Sequence, residues 1–257
     1  MTNTNKTRSP LVAIVTVSFN AVGTIEQTLI SAINQDFVDY EYIIVDGGST
    51  DGTVDVIKKY ETIFLENGLI LKWISEPDKG IFDAINKGLN IASAQYLLII
   101  GADDILSNSN VLSRFDRFDK IKDAVVYGDV FALDDKKIYD GSFNKIKLIL
   151  RNISHQAIFY PKKVYKNEMY ILDYKLASDY EYNIRIWGKG IVFQRINMVV
   201  VDFNQTGLGT LNEDKLFLNH KTKIIYRNLG LQSWVIAVLQ KIKIILLGKK
   251  IVFNFFR

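Results

Sequence analysis

The sequence predicts an α/β domain with a mainly parallel, twisted sheet covered by helices, and three observations carry that prediction. Apolar strand-like runs alternate with segments of helical periodicity through the first hundred residues. Polar turns follow directly after three of those runs. The 257 residues, 48% of them hydrophobic, are enough for one large core with at most a small appendage.

Taken in order, residues 11–18 form a β-branched run bounded by Pro10 and Asn20, suited to a strand buried on both faces. Residues 24–34 then set Ile25, Leu29 and Ile33 four apart, a helical stripe. A second apolar run, 42–45, ends at Asp46 and a Gly-Gly turn. Thr53 is placed to cap a helix reaching about Tyr60, with Val54 and Ile57 marking its turns. Residues 69–74 and 96–100 read as strands, with a helix over 81–92 between them. This βαβαβαβ order favours parallel pairing, and ligands of such sheets bind outside the carboxyl ends of the strands. The second half is less regular: a strand over 124–128, a hairpin over 130–139 turning at Asp134-Asp135, a strand over 156–160, a helix over 177–187 and a strand over 191–201.

Composition excludes several chemistries. Without cysteine there are no disulfides, thiolate metal sites or cysteine nucleophiles. With only His155 and His220, a bound metal must lean on carboxylates, which favours Mg²⁺ or Mn²⁺. Residues 1–10 are polar and lack the apolar stretch of a signal peptide, so a cytoplasmic location is expected. Charge is uneven. Past Asp214 there are nine basic residues and no acidic one, which leaves residues 1–214 at −5 against a total of +4. An acidic body with a basic, apolar end suits an anionic membrane surface better than nucleic acid.

The polar residues gather where a ligand is expected. Ser18-Phe19-Asn20, Asp46-Gly47-Gly48-Ser49 and Gly101-Ala102-Asp103-Asp104 each follow an apolar strand. Asp46 can accept from the N3–H of a uracil or from a ribose hydroxyl; equally, it suits a tight turn whose carboxylate caps the next helix. Asp103 and Asp104 repel each other unless a cation lies beside them, and a divalent ion bridging to a diphosphate meets that need. A solvated turn is the plain alternative. Lys79 and the helix opening at Gly80 offer a cation and free amides to a phosphate, or form only a loop and a capped helix.

These segments together resemble the inverting glycosyltransferases of family 2, whose fold is GT-A. The resemblance runs from about Leu11 to Trp187 through VSFN, IIVDGGSTDGT, SEPDKGIFDAINKGLNIA, LLIIGADD, SHQAIF and ASDYEYNIRIW. It is nearest to bacterial enzymes that build exopolysaccharide, capsule or lipopolysaccharide units. It implies a nucleotide-sugar-binding half over about 11–128 and an acceptor-side half over about 129–214. Asp46 then matches the nucleoside-reading aspartate, with Ser18, Asn20 and Ser49 beside it. Asp103 and Asp104 match the DxD-like element for ribose and metal, either one being the direct ligand, although Gly101 stands where relatives often carry Asp or Asn. Asp179 matches the general base, with Glu181 as a rival, and His155 of the His-Gln pair is either structural or a contact to donor phosphates or metal. His220 reads as surface or helix packing. A UDP-sugar is the default donor, and a glycan or lipid-linked glycan is the expected acceptor.

From Leu229 onward the chain is apolar but broken by Lys241 and Lys243, well short of the ~20 residues a spanning helix needs. Trp234 and the lysines suit a helix lying in the headgroup plane; the alternative is a terminal helix that packs on the domain. The tail thus implies a peripheral place on the inner face of the cell membrane. Two other classes compete: a sugar-nucleotide pyrophosphorylase, which needs a Gly-rich, Arg-containing loop that Asn20–Gly23 does not supply, and a non-catalytic scaffold on a degenerate transferase fold.

Overall fold

A computed structural model describes residues 9–139, 141–204 and 213–247. Four parallel strands lie side by side in the order β3 (Ile70–Ser75), β2 (Tyr40–Asp46), β1 (Val12–Ser18) and β4 (Tyr96–Gly101). They are joined by α1 (Ile25–Ile33), α2 (Thr53–Glu66) and α3 (Ile81–Ile91). Because strand side chains alternate, the sheet feeds two cores. Ala13, Val15, Ile43 and Val45 pack with Phe82, Ile85 and Leu89 of α3 on one face. Val12, Ile14, Tyr42 and Ile44 pack with Leu29 of α1 and with Ile57 and Phe64 of α2 on the other. Every residue of β1 and β2 is buried, which is why β1 and Tyr42–Val45 of β2 read as largely apolar runs.

The second half completes the sheet with mixed pairing. It contains β5 (Ile105–Leu106), α4 (Val111–Arg117), β6 (Val125–Ala132), β7 (Lys137–Tyr139), α5 (Lys145–Leu150), a 3₁₀ turn (His155–Ala157), β8 (Ile158–Pro161), α6 (Lys162–Tyr165), α7 (Ser178–Gly188) and β9 (Phe193–Phe203). β8 runs antiparallel between β4 and β6, β9 lies parallel to β6, and β5 closes that edge against β9.

Three elements depart from the sequence expectation. The segments 124–128 and 130–139 share one strand, β6, which runs through Asp129 with register shifts against β9 before turning into β7. The expected strand at 156–160 begins as the 3₁₀ turn and becomes extended only at Ile158. Thr53 does not act as the cap of α2. Gly52, at φ 101°, stands at the N-cap, and the Thr53 amide and hydroxyl both donate to Asp51 Oδ1, at 3.0 and 2.5 Å.

The basic segment after Asp214 enters the fold as α8 (Lys215–Leu229) and α9 (Leu231–Leu247). Phe217, Ile224, Ile225 and Leu229 of α8 join the core that also holds Tyr182 and Ile186 of α7. The α7–α8 approach is tight at Gly188, where a Cβ would stand 2.4 Å from the Asn228 carbonyl oxygen. On α9, Ser233 and Ala237 face inward, while Leu231, Trp234, Val235, Leu239 and Ile242 are exposed. No helix among the described residues is long and apolar enough to cross a membrane.

Gly188→Ala sets two effects of opposite sign against each other. Alanine gains about 0.5–1 kcal/mol in a helix, whereas overpacking against backbone costs roughly 1–3 kcal/mol. Thermal and urea unfolding should therefore show a net loss of stability. A variant as stable as the parent would mean that the two helices are not in this contact.

Candidate active site

The parallel strands deliver their last residues to one edge. In the sheet register Ser18 lies opposite Asp46, and Asp46 opposite Ser75. The Asp46 side chain is fully buried, and its carboxylate accepts five hydrogen bonds. Oδ1 takes the hydroxyls of Ser18 (2.9 Å) and Ser49 (2.5 Å); Oδ2 takes the amides of Gly48 (3.1 Å) and Ser49 (2.8 Å) and the hydroxyl of Ser75 (2.7 Å). Burial opposes ionisation, yet the donors of Ser49, Ser75 and Ser18 outweigh it and hold the pKa below the ordinary carboxylate value. Asp46 is therefore the clamp of its own loop.

The same loop is tied to the end of β1. Asn20, at φ 49°, donates its amide to Ser49 Oγ (2.8 Å) and accepts the Thr50 amide on Oδ1 (3.0 Å). Gly48 sits at φ 84°, and a Cβ on Gly47 would come within 2.6 Å of Asp78 Oδ2 and 3.2 Å of the Phe19 ring. The Phe19 ring is itself 66% exposed at this rim. Lys79 is exposed nearby, with its amide on Asp83 Oδ2 (3.0 Å) and the Gly80 amide on Asp78 Oδ1 (2.7 Å). Those two carboxylates occupy amides at the entrance of α3.

Asp103 and Asp104 follow β4 and behave oppositely to Asp46. Burial raises the pKa of Asp103 and pushes Asp104 up to about 6, with the Asp103 charge adding to the effect and the Gly101 amide (2.6 Å to Oδ2) resisting it. Asp104 is only 3% exposed. Gly101 has a steric role here: a Cβ would lie 2.7 Å from Asp103 Oδ1 and 3.2 Å from Asp104 Oδ2. Among the described residues no third His, Cys, Asp or Glu joins them in a cluster.

Asp179 stands in the first turn of α7. Its Oδ2 accepts from Asn152 Nδ2 (2.8 Å) and lies 3.3 Å from His155 Nδ1. Behind it runs a chain of amides and a phenol: Tyr160 donates to Asn183 Oδ1 (2.8 Å), and Asn183 donates to Asn152 Oδ1 (2.9 Å). Burial works against protonation of His155, but the bond to Asp179 and the charges of Asp179 and Asp104 raise its pKa overall. His155 thus feels the carboxylates of both half-sites. Glu181 is not available as a base, because it is buried in an ion pair with Arg185, Nε to Oε1 at 3.0 Å. His220 meets the Tyr174 hydroxyl (3.2 Å) at the surface of α8. Sequence reasoning missed Ser75, Asn152 and Asn183. Only Ser75 carried a signal, as the polar end of an apolar strand.

A mainly parallel sheet thus carries carboxylates at its strand ends, and an acid–histidine pair lies on the mixed side. The chain belongs to glycosyl transferase family 2, whose family model matches residues 13–176, and it is a glycosyltransferase. That sets aside the pyrophosphorylase reading. Among relatives, it is 31% identical over 243 residues to a PGL/p-HBAD biosynthesis glycosyltransferase of Mycobacterium bovis, covering 92% of this chain and 93% of that one. It is also 38% identical over 95 residues to TuaG of Bacillus subtilis, a glycosyltransferase assigned to teichuronic acid biosynthesis; those residues span 37% of this chain and 36% of TuaG. In structure it resembles S. aureus TarS 1–349 in complex with UDP-GlcNAc, with a TM-score of 0.73 and 15% identity over 88% of this chain and 70% of that one. It spans 43% of the longer TarS chain. These structural likenesses establish the GT-A fold expected from the sequence.

Asp46→Asn replaces an oxygen that accepts two or three hydrogen bonds with an amide, and leaves buried donors without partners. The expected loss is on the order of 3 kcal/mol. Since the Asp46 pKa is depressed, its contribution is complete above the unfolded value and disappears as pH falls through the folded one. The parent's stability should accordingly decline below about pH 4, and the variant's acid limb should be shallower in denaturant titrations at stepped pH. Parallel limbs would refute the clamp.

Proposed function

We propose that this glycosyltransferase moves a sugar from a nucleotide-diphospho-sugar, UDP-linked by default, to a hydroxyl of a glycan or lipid-linked glycan acceptor. The transfer inverts the anomeric centre and belongs to bacterial surface polysaccharide synthesis. The observation that carries this reading is the pairing of Asp179 with His155, an imidazole that also feels Asp104. Base and donor-side carboxylates then serve one reaction centre. The relatives assigned to PGL/p-HBAD and teichuronic acid biosynthesis support the acceptor class, and TarS with UDP-GlcNAc supports the donor.

In this reading Asp179 takes the proton of the acceptor hydroxyl, whose oxygen attacks the anomeric carbon from the face opposite the diphosphate. Asn152 and His155 hold the carboxylate in place. The loop clamped by Asp46 seats the nucleoside through Ser18, Asn20 and Ser49, and the exposed Phe19 ring offers the base a stacking face. Lys79 stands at the rim toward the diphosphate.

The donor set at Asp103 and Asp104 fits Mg²⁺ or Mn²⁺. Both are hard oxygen ligands whose negative charge burial disfavours, and donor phosphates with water would complete the shell, as is usual for Mg²⁺. Such an ion, when bound, supplies positive charge to the departing diphosphate. A neighbour of TM-score 0.63, the Pyrobaculum calidifontis mannosyltransferase PcManGT, is described in complex with GDP-Man and Mn²⁺; it is 17% identical, over 87% of this chain and 64% of that one.

The exposed face of α9 suits the inner surface of the cell membrane, with Leu231, Trp234, Val235, Leu239 and Ile242 apolar and Lys241 and Lys243 among them.

Screening nucleotide sugars for metal-dependent thermal stabilisation identifies the donor, since a ligand at 100 times its Kd adds about 2.7 kcal/mol to the folded state. Asp179→Asn should lower transfer by roughly 10²–10⁴-fold, the usual range for a general base, while keeping that donor shift; unchanged turnover would remove Asp179 from the role. Asp103→Ala and Asp104→Ala should lose Mg²⁺- or Mn²⁺-dependent turnover, and full parental activity in chelator would sink the metal. Liposomes with anionic lipid should float the parent but not a chain ending at residue 230. Equal flotation of the two would discard the α9 surface.

A further inference from the structure

The hydrogen bonds behind Asp179 have a direction, and it follows from the chemistry of the groups. An ionised carboxylate only accepts, so the Asn152 amide that faces Asp179 Oδ2 at 2.8 Å presents its Nδ2. Its oxygen is thereby turned to Asn183, which presents Nδ2 at 2.9 Å. The Asn183 oxygen is left facing Tyr160, and the phenol donates to it at 2.8 Å. Each side-chain amide passes one donor forward, so the chain needs a hydroxyl at its far end.

That far end is fixed. Tyr160 and Asn183 are both shut away from water. The Tyr160 ring meets that of Tyr182 edge to face, with 5.3 Å between centroids and 85° between planes. In the sheet, Tyr160 of β8 lies opposite Leu97 of β4, the strand that leads into Asp103 and Asp104. The chain therefore ties the first turn of α7 to the centre of the sheet, a link that the packing of α7 on α8 does not make.

The same bonds leave Asp179 one opening. A carboxylate offers about four acceptor sites in its plane. Oδ2 takes Asn152 and faces His155 Nδ1 at 3.3 Å, while Oδ1 takes the Tyr180 amide at 2.8 Å. The remaining site is on Oδ1.

We propose that Tyr160 and Asn183 are positioning residues for the transfer: acting through Asn152, they keep Oδ2 of Asp179 filled and leave Oδ1 to take the proton of the acceptor hydroxyl. The assignment rests on the reading of Asp179 as the base and deepens it. Without the Tyr160 hydroxyl the buried Asn183 oxygen has no donor. Both amides are then free to turn round, which brings the oxygen of Asn152 against the carboxylate.

The test follows release of UDP to water from UDP-GlcNAc, the sugar nucleotide of the TarS 1–349 complex, by the whole chain with Mn²⁺ present. Tyr160→Phe should lower kcat roughly 10–100-fold, the scale of a misplaced catalytic group. The KM for UDP-GlcNAc should stay within about twofold of the parent, because no group that touches the donor has changed. Asn152→Ala should lower kcat to a similar extent. The double variant Tyr160→Phe/Asn152→Ala should be no slower than Asn152→Ala, since the hydroxyl acts only through that amide. Circular dichroism and thermal unfolding confirm that each variant is folded. Parental kcat in Tyr160→Phe, a rise in KM in place of the fall in kcat, or losses that add in the double variant each overturn the positioning role. Asp179→Asn, run alongside, separates this from the reading it rests on. Release by Asp179→Asn as fast as by the parent removes the base, and the chain's task with it. A slow Asp179→Asn beside a parental Tyr160→Phe overturns the positioning role alone.

Discussion

A carboxylate shut away from water, at the carboxyl end of the second strand, organises the strand-end edge of this enzyme. Isolated in a protein interior, a charged aspartate is strongly disfavoured. Asp46 is nonetheless held in its ionised form, because three serine hydroxyls and two amides converge on it from the ends of β1, β2 and β3 and from the loop after β2. Satisfying that one group determines the path of residues 47–53. It also explains why Gly47 and Gly48 carry no side chain, the first wedged between Phe19 and Asp78, the second in a left-handed conformation. Asn20 closes the loop from the β1 side, using the tolerance of asparagine for positive φ.

The comparison with Asp103 and Asp104 shows how one residue type acquires two functions. Asp46 has enough donors to outweigh its burial, so its pKa is held below the ordinary carboxylate value. Asp104 is almost equally buried but takes one backbone amide and the repulsion of its neighbour, and its pKa rises to about 6. A carboxylate in that state gains from any cation that arrives. The sign of the shift, more than the burial or the motif, separates Asp46 from the Asp103-Asp104 pair. Gly101 belongs to the same logic, because a side chain there would displace both carboxylates.

The first half of this fold was legible in the sequence because β1, β2 and β4 are buried on both faces and so read as largely apolar runs. The polar residues that end them could be placed on one edge by topology alone. Legibility failed where tertiary partners decide the outcome. The 3₁₀ turn at His155–Ala157 has no periodicity of its own. Asn152 and Asn183 carry no pattern of their own, and their task appears only when α7 brings Asn183 against Asn152. For Asp46 the sequence offers a nucleoside contact or a turn residue that caps the next helix; the five donors on it include Ser75 from a third strand, which only the fold brings there.

The same dependence on tertiary partners links the chemistry to the end of the chain. Asp179 is positioned from behind by Asn152, Asn183 and Tyr160, and from the side by His155. Asp179 and Asn183 are both carried by α7. That helix is fixed in turn by α8, whose Phe217, Ile224 and Ile225 complete its core and whose Asn228 presses on Gly188. The basic segment after Asp214 therefore does more than add charge: its first helix is part of the support of α7 and Asp179, and its second presents the exposed apolar face. In the proposed function, an acceptor held at a membrane by that face would meet Asp179 as a base oriented by the adjoining helix, and docking and catalysis would then share one structural unit.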